Sequence, residues 1–334
     1  MIERETIVVG GGPGGSSAAW ELVRRGRDCL VLDRDAFPRE KLCAGWITPE
    51  VLTDLEFTPA DYPHRFLTFN ALQVTAFGLH VALRSPQHSI RRFEFDDWLL
   101  QRSGVDVATH TVREIRSEAD GFVIDDRYRC RYLVGAGGTR CPVYRTVYRD
   151  RQPRHPGLQA VALECEYRCD WQDADCHLWF LTDGLPGYSW YVPKADGYLN
   201  LGVGGMALKL KRGGDDIRRH WQRLVERLQR LGLISAPPPA PHGYSYYLRA
   251  ARPVPNVERA YLVGDAAGLA TRDMCEGIGP AVRSGLAAAR SIAGTAARDS
   301  LAISPFTSEN GLLRRGLEWR FTAGTGAGRI AAPA

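Results

Sequence analysis

Two glycine turns, one opening at Gly10 and one at Gly264, carry the residue types that hold phosphates and sugars. The first lies in TIVVGGGPGGSSAAWELVRRGRDCLVLDRD. Thr6–Val9 reads as a short buried strand, Ser16–Arg25 as a helix, and Cys29–Leu32 as a second strand ending at Asp33. Between them, Gly10-x-Gly12-x-x-Gly15 has the spacing of a dinucleotide turn. Gly10 permits the tight bend, Gly12 lets the backbone approach a pyrophosphate, and Gly15 lets helix and strand pack closely. The helix N-terminus then faces the phosphates with free N–H groups and a positive dipole end. Asp33 sits where a carboxylate takes two ribose hydroxyls.

The second turn follows the strand Tyr261-Leu262-Val263 and begins Gly264-Asp265. It does not require a second nucleotide, because one extended cofactor such as FAD can be held at both ends. Asp265 would take ribitol or pyrophosphate-side groups. A helix starting near Gly277 would aim its N–H groups at the flavin pyrimidine edge, where the reduced ring carries negative charge.

The elements that must position these turns follow from periodicity. Residues 66–87 alternate as short strands, and IRRFEFDDWLLQRSG (90–104) reads as a helix with Phe95 and Leu99 inward and Trp98 a further candidate for that face. VDVATHTV is a strand, VREIRSEADGFVIDD holds two, and YRCRYLVGAGGTR ends a strand in the glycine turn Gly135–Gly138. From 157 to 206 the chain is aromatic and strand-like, with Gly/Pro/Asp turns between antiparallel strands. DDIRRHWQRLVERLQRLGLI is an amphipathic helix with Ile217, Trp221, Leu224, Leu228 and Leu231 on one stripe. That stripe suits packing on a sheet better than a membrane surface. SAPPPAPHG is a rigid link, and the Gly/Ala-rich tail beyond Ser300 is expected to fray.

Composition narrows the function classes. The 334 residues are 44% hydrophobic and 24% charged, enough for a sizeable core. The net charge of +5 is carried almost entirely by scattered arginines, with lysine only at 41, 194, 209 and 211, so nucleic acid is not an expected partner. No apolar run reaches spanning length, and the early first strand leaves no room for a leader, so a cytoplasmic location is expected. The eight cysteines include no CxxC pair. Cys165, Cys169 and Cys176 with His177 fit strand alternation rather than a zinc pattern, and no metal is expected.

Three motifs in order, GxGxxG at 10–15, GAGG at 135–138 and GDAAG at 264–268, resemble those of the para-hydroxybenzoate-hydroxylase-like flavoproteins. Within that superfamily the chain is most similar to the geranylgeranyl reductase family. The resemblance rests on REKLCAGWI (39–47), RRFEFDDWL (91–99), GYSWYVPKADGYLNLGVGG (187–205) and GDAAGLATRDMCEGIGPAVRSG (264–285), and covers about residues 1–300. It implies an α/β fold, a Rossmann-like FAD-binding domain with an inserted antiparallel β-sheet substrate domain. The expected boundaries are 1–65, 88–150 and 250–300 for the FAD-binding domain, 66–87 and 151–249 for the substrate-binding domain, and 301–334 for a short C-terminal helix and tail.

The resemblance also implies site residues. FAD would be held by Gly10, Gly12, Pro13, Gly14, Gly15, Ser16, Asp33, Arg34, Lys41, Leu42, Cys43, Ala44, Arg92, Val112, Ala136, Gly137, Gly264, Asp265, Gly277, Ile278 and Gly279. Tyr188 and Trp190 would face the substrate, or else belong to the sheet core. Cys43 would protonate the substrate, or else be a packing cysteine. The implied reaction is hydride transfer from reduced flavin to a carbon–carbon double bond of a hydrophobic, isoprenoid-like molecule. NAD(P)H or another external donor would reduce the flavin in passing, and peripheral membrane contact is compatible with such a substrate.

The departures bear on this reading. Ala44 replaces a glycine of the family's Cys-Gly-Gly loop, Gly137 stands where related hydroxylases have Asp, and Cys275 replaces a glycine before Glu276. The chain stops soon after the last motif, which puts a long isoprenoid in doubt. A monooxygenase on the same fold is the first alternative, disfavoured because Gly268 stands where hydroxylases often carry His. Halogenation is weaker, for want of a paired-Trp signature and a suitable lysine. An electron-transfer flavoprotein is the remaining alternative.

Overall fold

The computed structural model describes residues 1–250 and 256–295. The expected C-terminal helix and tail (301–334) lie outside the described residues. In chain order the strands are β1 (Ile2–Val9), β2 (Cys29–Asp33), β3 (Trp46–Ile47), β4 (Leu67–Ala76), β5 (Leu79–Ser89), β6 (Asp106–Thr109), β7 (Ile115–Glu118), β8 (Gly121–Ile124), β9 (Tyr128–Gly135), β10 (Gln159–Arg168), β11 (Cys176–Phe180), β12 (Gly187–Lys194), β13 (Tyr198–Met206), β14 (His242–Tyr247) and β15 (Ala260–Leu262). The helices are α1 (Pro13–Arg24), α2 (Pro49–Asp54), α3 (Arg92–Arg102), α4 (Ala207–Arg212), α5 (Ile217–Arg230) and α6 (Ile278–Ile292).

The chain divides into two compact units, each built from non-contiguous segments. Unit 1 comprises Met1–Arg39, Asp96–Leu158 and the described part of Tyr246–Ala334. Unit 2 comprises Glu40–Phe95 and Gln159–Ser245. Residues 40–65 thus group with unit 2, where the sequence pattern had placed them with the N-terminal fold.

Unit 1 is an α/β layer structure. Its seven-stranded sheet has the order β6-β2-β1-β9-β8-β7, with β15 also paired to β9. The strands around β1 are parallel, and the β7–β8–β9 meander is antiparallel. Successive strand residues point to opposite faces. Ile7 and Val9 accordingly join Leu30, Leu32, Phe122 and Tyr148 on one face. Val8, Val31 and Val134 join Ala18, Leu22, Ala288 and Ala289 on the other.

The small residues of α6 have a packing reason. A Cβ on Gly285 would lie 2.2 Å from the Gly14 carbonyl oxygen, so α1 and α6 approach at backbone distance. Glu21 fastens the same pair. Its buried carboxylate accepts from Arg290 at 2.8 Å and from Arg25 at 2.7 Å. Burial alone would raise its pKa, but the two arginines outweigh it and hold the group below its usual range.

Unit 2 is an eight-stranded sheet of order β14-β10-β13-β12-β11-β4-β5-β3. One face is apolar and covered by α5. Trp221, Leu224 and Leu228 of the helix pack with Tyr191, Leu199, Leu201 and Val203 of the sheet. The expected stripe is corrected at one end: Leu231 is 57% exposed, and Leu233 and Ile234, beyond the helix, fill the core instead. His220, unremarked in the sequence, is buried on that side with Nε2 2.6 Å from the Asp215 carboxylate. Among the described residues no helix is long and apolar enough to cross a membrane.

Candidate functional site

Unit 1 carries a nucleotide cradle. A Cβ on Gly10 would lie 2.5 Å from the Ala136 carbonyl oxygen, and its φ of +112° is one that residues with a side chain rarely adopt. A Cβ on Gly15 would lie 1.8 Å from the Gly10 carbonyl oxygen. The turn is therefore closed to any larger residue. Gly12 caps α1 with no side-chain hydrogen bond, and Pro13 follows it in the first turn. The helix end thus keeps its amide dipoles for a ligand.

Asp33 closes the far side of the cradle. Its Oδ2 accepts the Gly11 N–H at 2.7 Å and its Oδ1 the Asp35 N–H at 3.1 Å. Each oxygen keeps a lone pair for a ribose hydroxyl. Arg34, expected at the cofactor, is exposed and pairs with Asp35 at 3.1 Å. The arginine beside Asp33 is Arg39, whose Nε stands 3.8 Å from Oδ2 and whose Nη2 stands 3.6 Å from buried Asp96.

The two later motifs meet through a residue the sequence reading missed. Arg154 donates to the carbonyls of Thr139 and Ala266 at 2.7 Å each and stacks on Tyr144 at 3.7 Å. Burial lowers its pKa. It joins the GAGG turn, with Ala136 and Gly137, to the turn carrying Gly264 and Asp265. Val112 is buried in the core of unit 1.

Gly277 caps α6, as expected for a helix starting there. Its first-turn amides already have a partner: the Gly279 N–H donates to Glu276 Oε1 at 2.5 Å. Burial raises the Glu276 carboxyl to about 7, opposed by the amides of Gly279 and Ile278 and by Arg283. Cys275 adopts φ +55°, which explains why a glycine suits this position in the resembling family.

In unit 2 the second sheet face is polar at one end. Cross-strand register places Trp190, Gly202 and Glu164 in one row and Val192, Asn200 and Glu166 in the next. A Cβ on Gly202 would lie 2.0 Å from Trp190 Cζ2, so the indole lies across β13 toward Glu164. Trp190 Nε1 donates to Asn200 Oδ1 at 2.8 Å, and Asn200 Nδ2 donates to the Cys43 carbonyl at 3.1 Å. Tyr188 lies between Phe180 and Trp190, its ring tilted against both, with centroids 4.9 and 5.7 Å away.

Lys194 fixes the same loop. Its buried Nζ donates to the carbonyls of Ala44 at 2.8 Å, Gly45 at 3.2 Å and Ile90 at 2.5 Å, and stands 3.5 Å from Glu166. Burial lowers its pKa, and Glu166 opposes the shift. Lys41 lies over the Tyr244 ring at 3.3 Å and donates to the Leu42 carbonyl. Arg92 opens α3 and is buried.

Glu164 is the most unusual group here. It is 3% exposed, on a strand face that is otherwise small or apolar in its row. Burial raises its pKa to about 7, although Lys41, Lys194 and Arg92 pull the other way. Such a carboxyl holds a proton up to near neutrality.

Comparison with known proteins agrees with this architecture. The NAD(P)-binding Rossmann-like domain family matches residues 8–71. An uncharacterised protein of Methanosarcina barkeri is 32% identical over 311 residues, 87% of this chain and 75% of its own. Menaquinone reductase of Mycobacterium tuberculosis is 30% identical over 231 residues, 61% of this chain and 55% of its own. Digeranylgeranylglycerophospholipid reductase 2 of Methanopyrus kandleri is 28% identical over 224 residues, again 61% and 55%. The chain therefore spans little more than half the length of these named reductases. Among solved structures, a geranylgeranyl bacteriochlorophyll reductase-like protein of Thermoplasma acidophilum superposes with a TM-score of 0.75 at 17% identity, over 97% of this chain and 84% of its own. A flavin-dependent brominase superposes at 0.67 and 16% identity, over 95% and 84%.

Fold, cradle and relatives together define a FAD-dependent oxidoreductase. The chain belongs to the geranylgeranyl reductase family of these enzymes.

Proposed function

We propose that the enzyme reduces a carbon–carbon double bond in the prenyl portion of a hydrophobic substrate, with unit 1 holding FAD and unit 2 holding the substrate. The observation that carries this reading is the row Trp190, Gly202, Glu164, with the Cys43 loop fastened to the neighbouring strands by Asn200 and Lys194. The names of the menaquinone and digeranylgeranyl relatives support the substrate class.

The cradle fits the cofactor: Gly10 and Gly15 admit no side chain, α1 is uncapped, and Asp33 is oriented by backbone amides. The sequence-derived contacts at Gly12, Asp265 and Gly277 belong to this proposal. Bound FAD would supply the hydride. The protein's part is to orient the alkene, exclude water and deliver a proton to the second carbon. Trp190 and Tyr188 offer an apolar aromatic wall. Cys43 and Glu164 are the proposed proton donors. NAD(P)H, visiting transiently, is the proposed electron donor.

Anaerobic incubation of the reduced enzyme with a menaquinone or a geranylgeranyl compound tests this, with mass spectrometry of the product. A gain of two hydrogens is expected. Coupled oxygen consumption with a hydroxylated product would replace the reading with a monooxygenase. Flavin reoxidation only by a protein partner would replace it with electron transfer. Halogenation is not favoured, because the buried lysine, Lys194, directs its Nζ at three carbonyls and Glu166.

A further inference from the structure

Among the described residues most exposed large hydrophobic side chains are scattered, but four fall within seven residues. Phe77 is 75% exposed, Leu79 71%, Val81 50% and Leu83 40%. They form the tip and one face of the β4–β5 hairpin. The two-residue turn has φ +54° at Phe77 and +79° at Gly78. Both angles suit the turn that matches strand twist, but its first position favours Asn, Asp or Gly. An aromatic residue is held there in a backbone conformation its type rarely adopts, with its ring in solvent.

Register shows what this face joins. Leu79 pairs with Ala76, Val81 with Val74 and Leu83 with Leu72. Ala76 pairs with Phe180 and Val74 with Leu178. Phe180 pairs with Tyr188 and Leu178 with Trp190. Directly opposed residues share a face. One apolar row therefore runs from the hairpin, where it is exposed, through buried Leu72, Leu178 and Phe180 to the Trp190 row of the proposed substrate site. The reverse face of the hairpin is polar, with Gln73, Thr75, His80 and Arg84.

The charge of the segment points to the occupant. Between Asp61 and Glu94 the chain contains no acidic residue, while it contains Arg65, Arg84, His64, His80 and His88. The fixed charge on the hairpin strands themselves is Arg84, and the acid bonded to them, Asp175, meets Gln73 on the reverse face at 2.7 Å; an exposed apolar tip and face without an acid of their own suit an anionic lipid surface. A second copy of the chain would bring the same basic charge against itself.

We infer that the β4–β5 hairpin docks on anionic lipid, immersing Phe77 and Leu79 in the headgroup–acyl boundary. The docked face would then lead a prenyl chain from the bilayer along the apolar surface toward Trp190. The second half of this inference rests on the proposed substrate class; the docking itself does not.

Co-sedimentation of the full chain with vesicles tests the docking without substrate or turnover, so failure of the reductase reading leaves the result interpretable. Vesicles of phosphatidylcholine with 30% phosphatidylglycerol (about 30%, a composition chosen to give a negative surface) are compared with pure phosphatidylcholine. Stronger binding to the anionic vesicles is expected, weakening as salt rises. Phe77→Ser with Leu79→Ser should weaken it at least tenfold, and Arg84→Glu should weaken it on anionic vesicles only. Retained flavin content serves as the folding control. Absence of binding to anionic vesicles, or undiminished binding by the double variant, would overturn the inference. So would a wild-type dimer in solution that the double variant abolishes, which would assign the face to a second copy.

Discussion

The side chain of Asn200 donates to the backbone carbonyl of Cys43 at 3.1 Å while holding the Trp190 indole at 2.8 Å. An aromatic wall and a thiol-bearing loop thereby share one amide. The loop has no regular secondary structure of its own between Glu40 and Gly45, so its position depends on such contacts.

Replacing Asn200 with Ala should release Cys43 without disturbing the cradle of unit 1. The expected outcome is a roughly tenfold fall in kcat, the loss that ~1.4 kcal/mol represents, with flavin content unchanged. Alkylation of Cys43, followed by peptide mapping, should speed up several-fold. An unchanged alkylation rate would show that Lys194 alone holds the loop.

Gly202→Ala should displace the indole, since the new Cβ would fall 2.0 Å from it. Overpacking of this kind costs about 1–3 kcal/mol. Combining it with Trp190→Phe should recover part of the loss, because the smaller ring leaves room. Urea unfolding of the four proteins in a double-mutant cycle measures the coupling. Strictly additive effects would mean that the ring does not lie over Gly202.

Glu164 predicts a pH dependence of stability. Its folded-state pKa, raised by burial to about 7, lies above the usual carboxyl value of 4.5. Between these values the folded state binds more protons than the unfolded one, so stability falls as pH rises through this window. Glu164→Gln should flatten that fall, at about 1.4 kcal/mol for each pH unit over which the group differs. Glu276 titrates in the same range, so the difference between wild type and variant is the informative quantity. Equal slopes would place the Glu164 carboxyl in its ordinary range.

Gly15→Ala should yield a folded protein that is colourless, or one that binds FAD at least tenfold more weakly, because the Cβ would collide with the Gly10 carbonyl. Flavin released from the wild type should be FAD and not FMN, since the Asp33 oxygens, which already accept from Gly11 and Asp35, gain a hydroxyl partner only if an adenosine ribose is present. Chromatography of the denatured supernatant decides both points.

Much of unit 1 was legible because its constraints are local. A buried strand, a glycine turn, a small-residue helix and a terminal acid appear consecutively in the sequence, and the structure arranges them so. The chemistry of unit 2 was less legible because it is assembled across strands. Alternation says that Glu164 and Glu166 share a face, but not that Glu166 is bonded to Arg91 while Glu164 is buried. Lys194 appears in the sequence only as one of four lysines, and its three carbonyl partners come from segments more than a hundred residues earlier. One signal was available: Asn200, Gly202 and Gly204 alternate small or polar residues through an apolar strand, which marks a face kept clear for a large neighbour. The amphipathic helix misled only at its end, where the chain turned before Leu231 could reach the sheet.

The placement of β15 beside β9 has a consequence for the order in which this protein is made. Unit 1 receives β15, the last of its described strands, and the helix that covers α1, only after both segments of unit 2 have left the ribosome. At about 5–20 residues per second, the stretch between Gly135 and Ala260 takes roughly 6–25 s to synthesise. During that interval β9 presents an unpaired edge and α1 an uncovered flank of alanines and glycines. The nascent chain thus reaches the cradle's first half early and its second half late, and a chaperone or the cofactor itself has that interval in which to engage the open half.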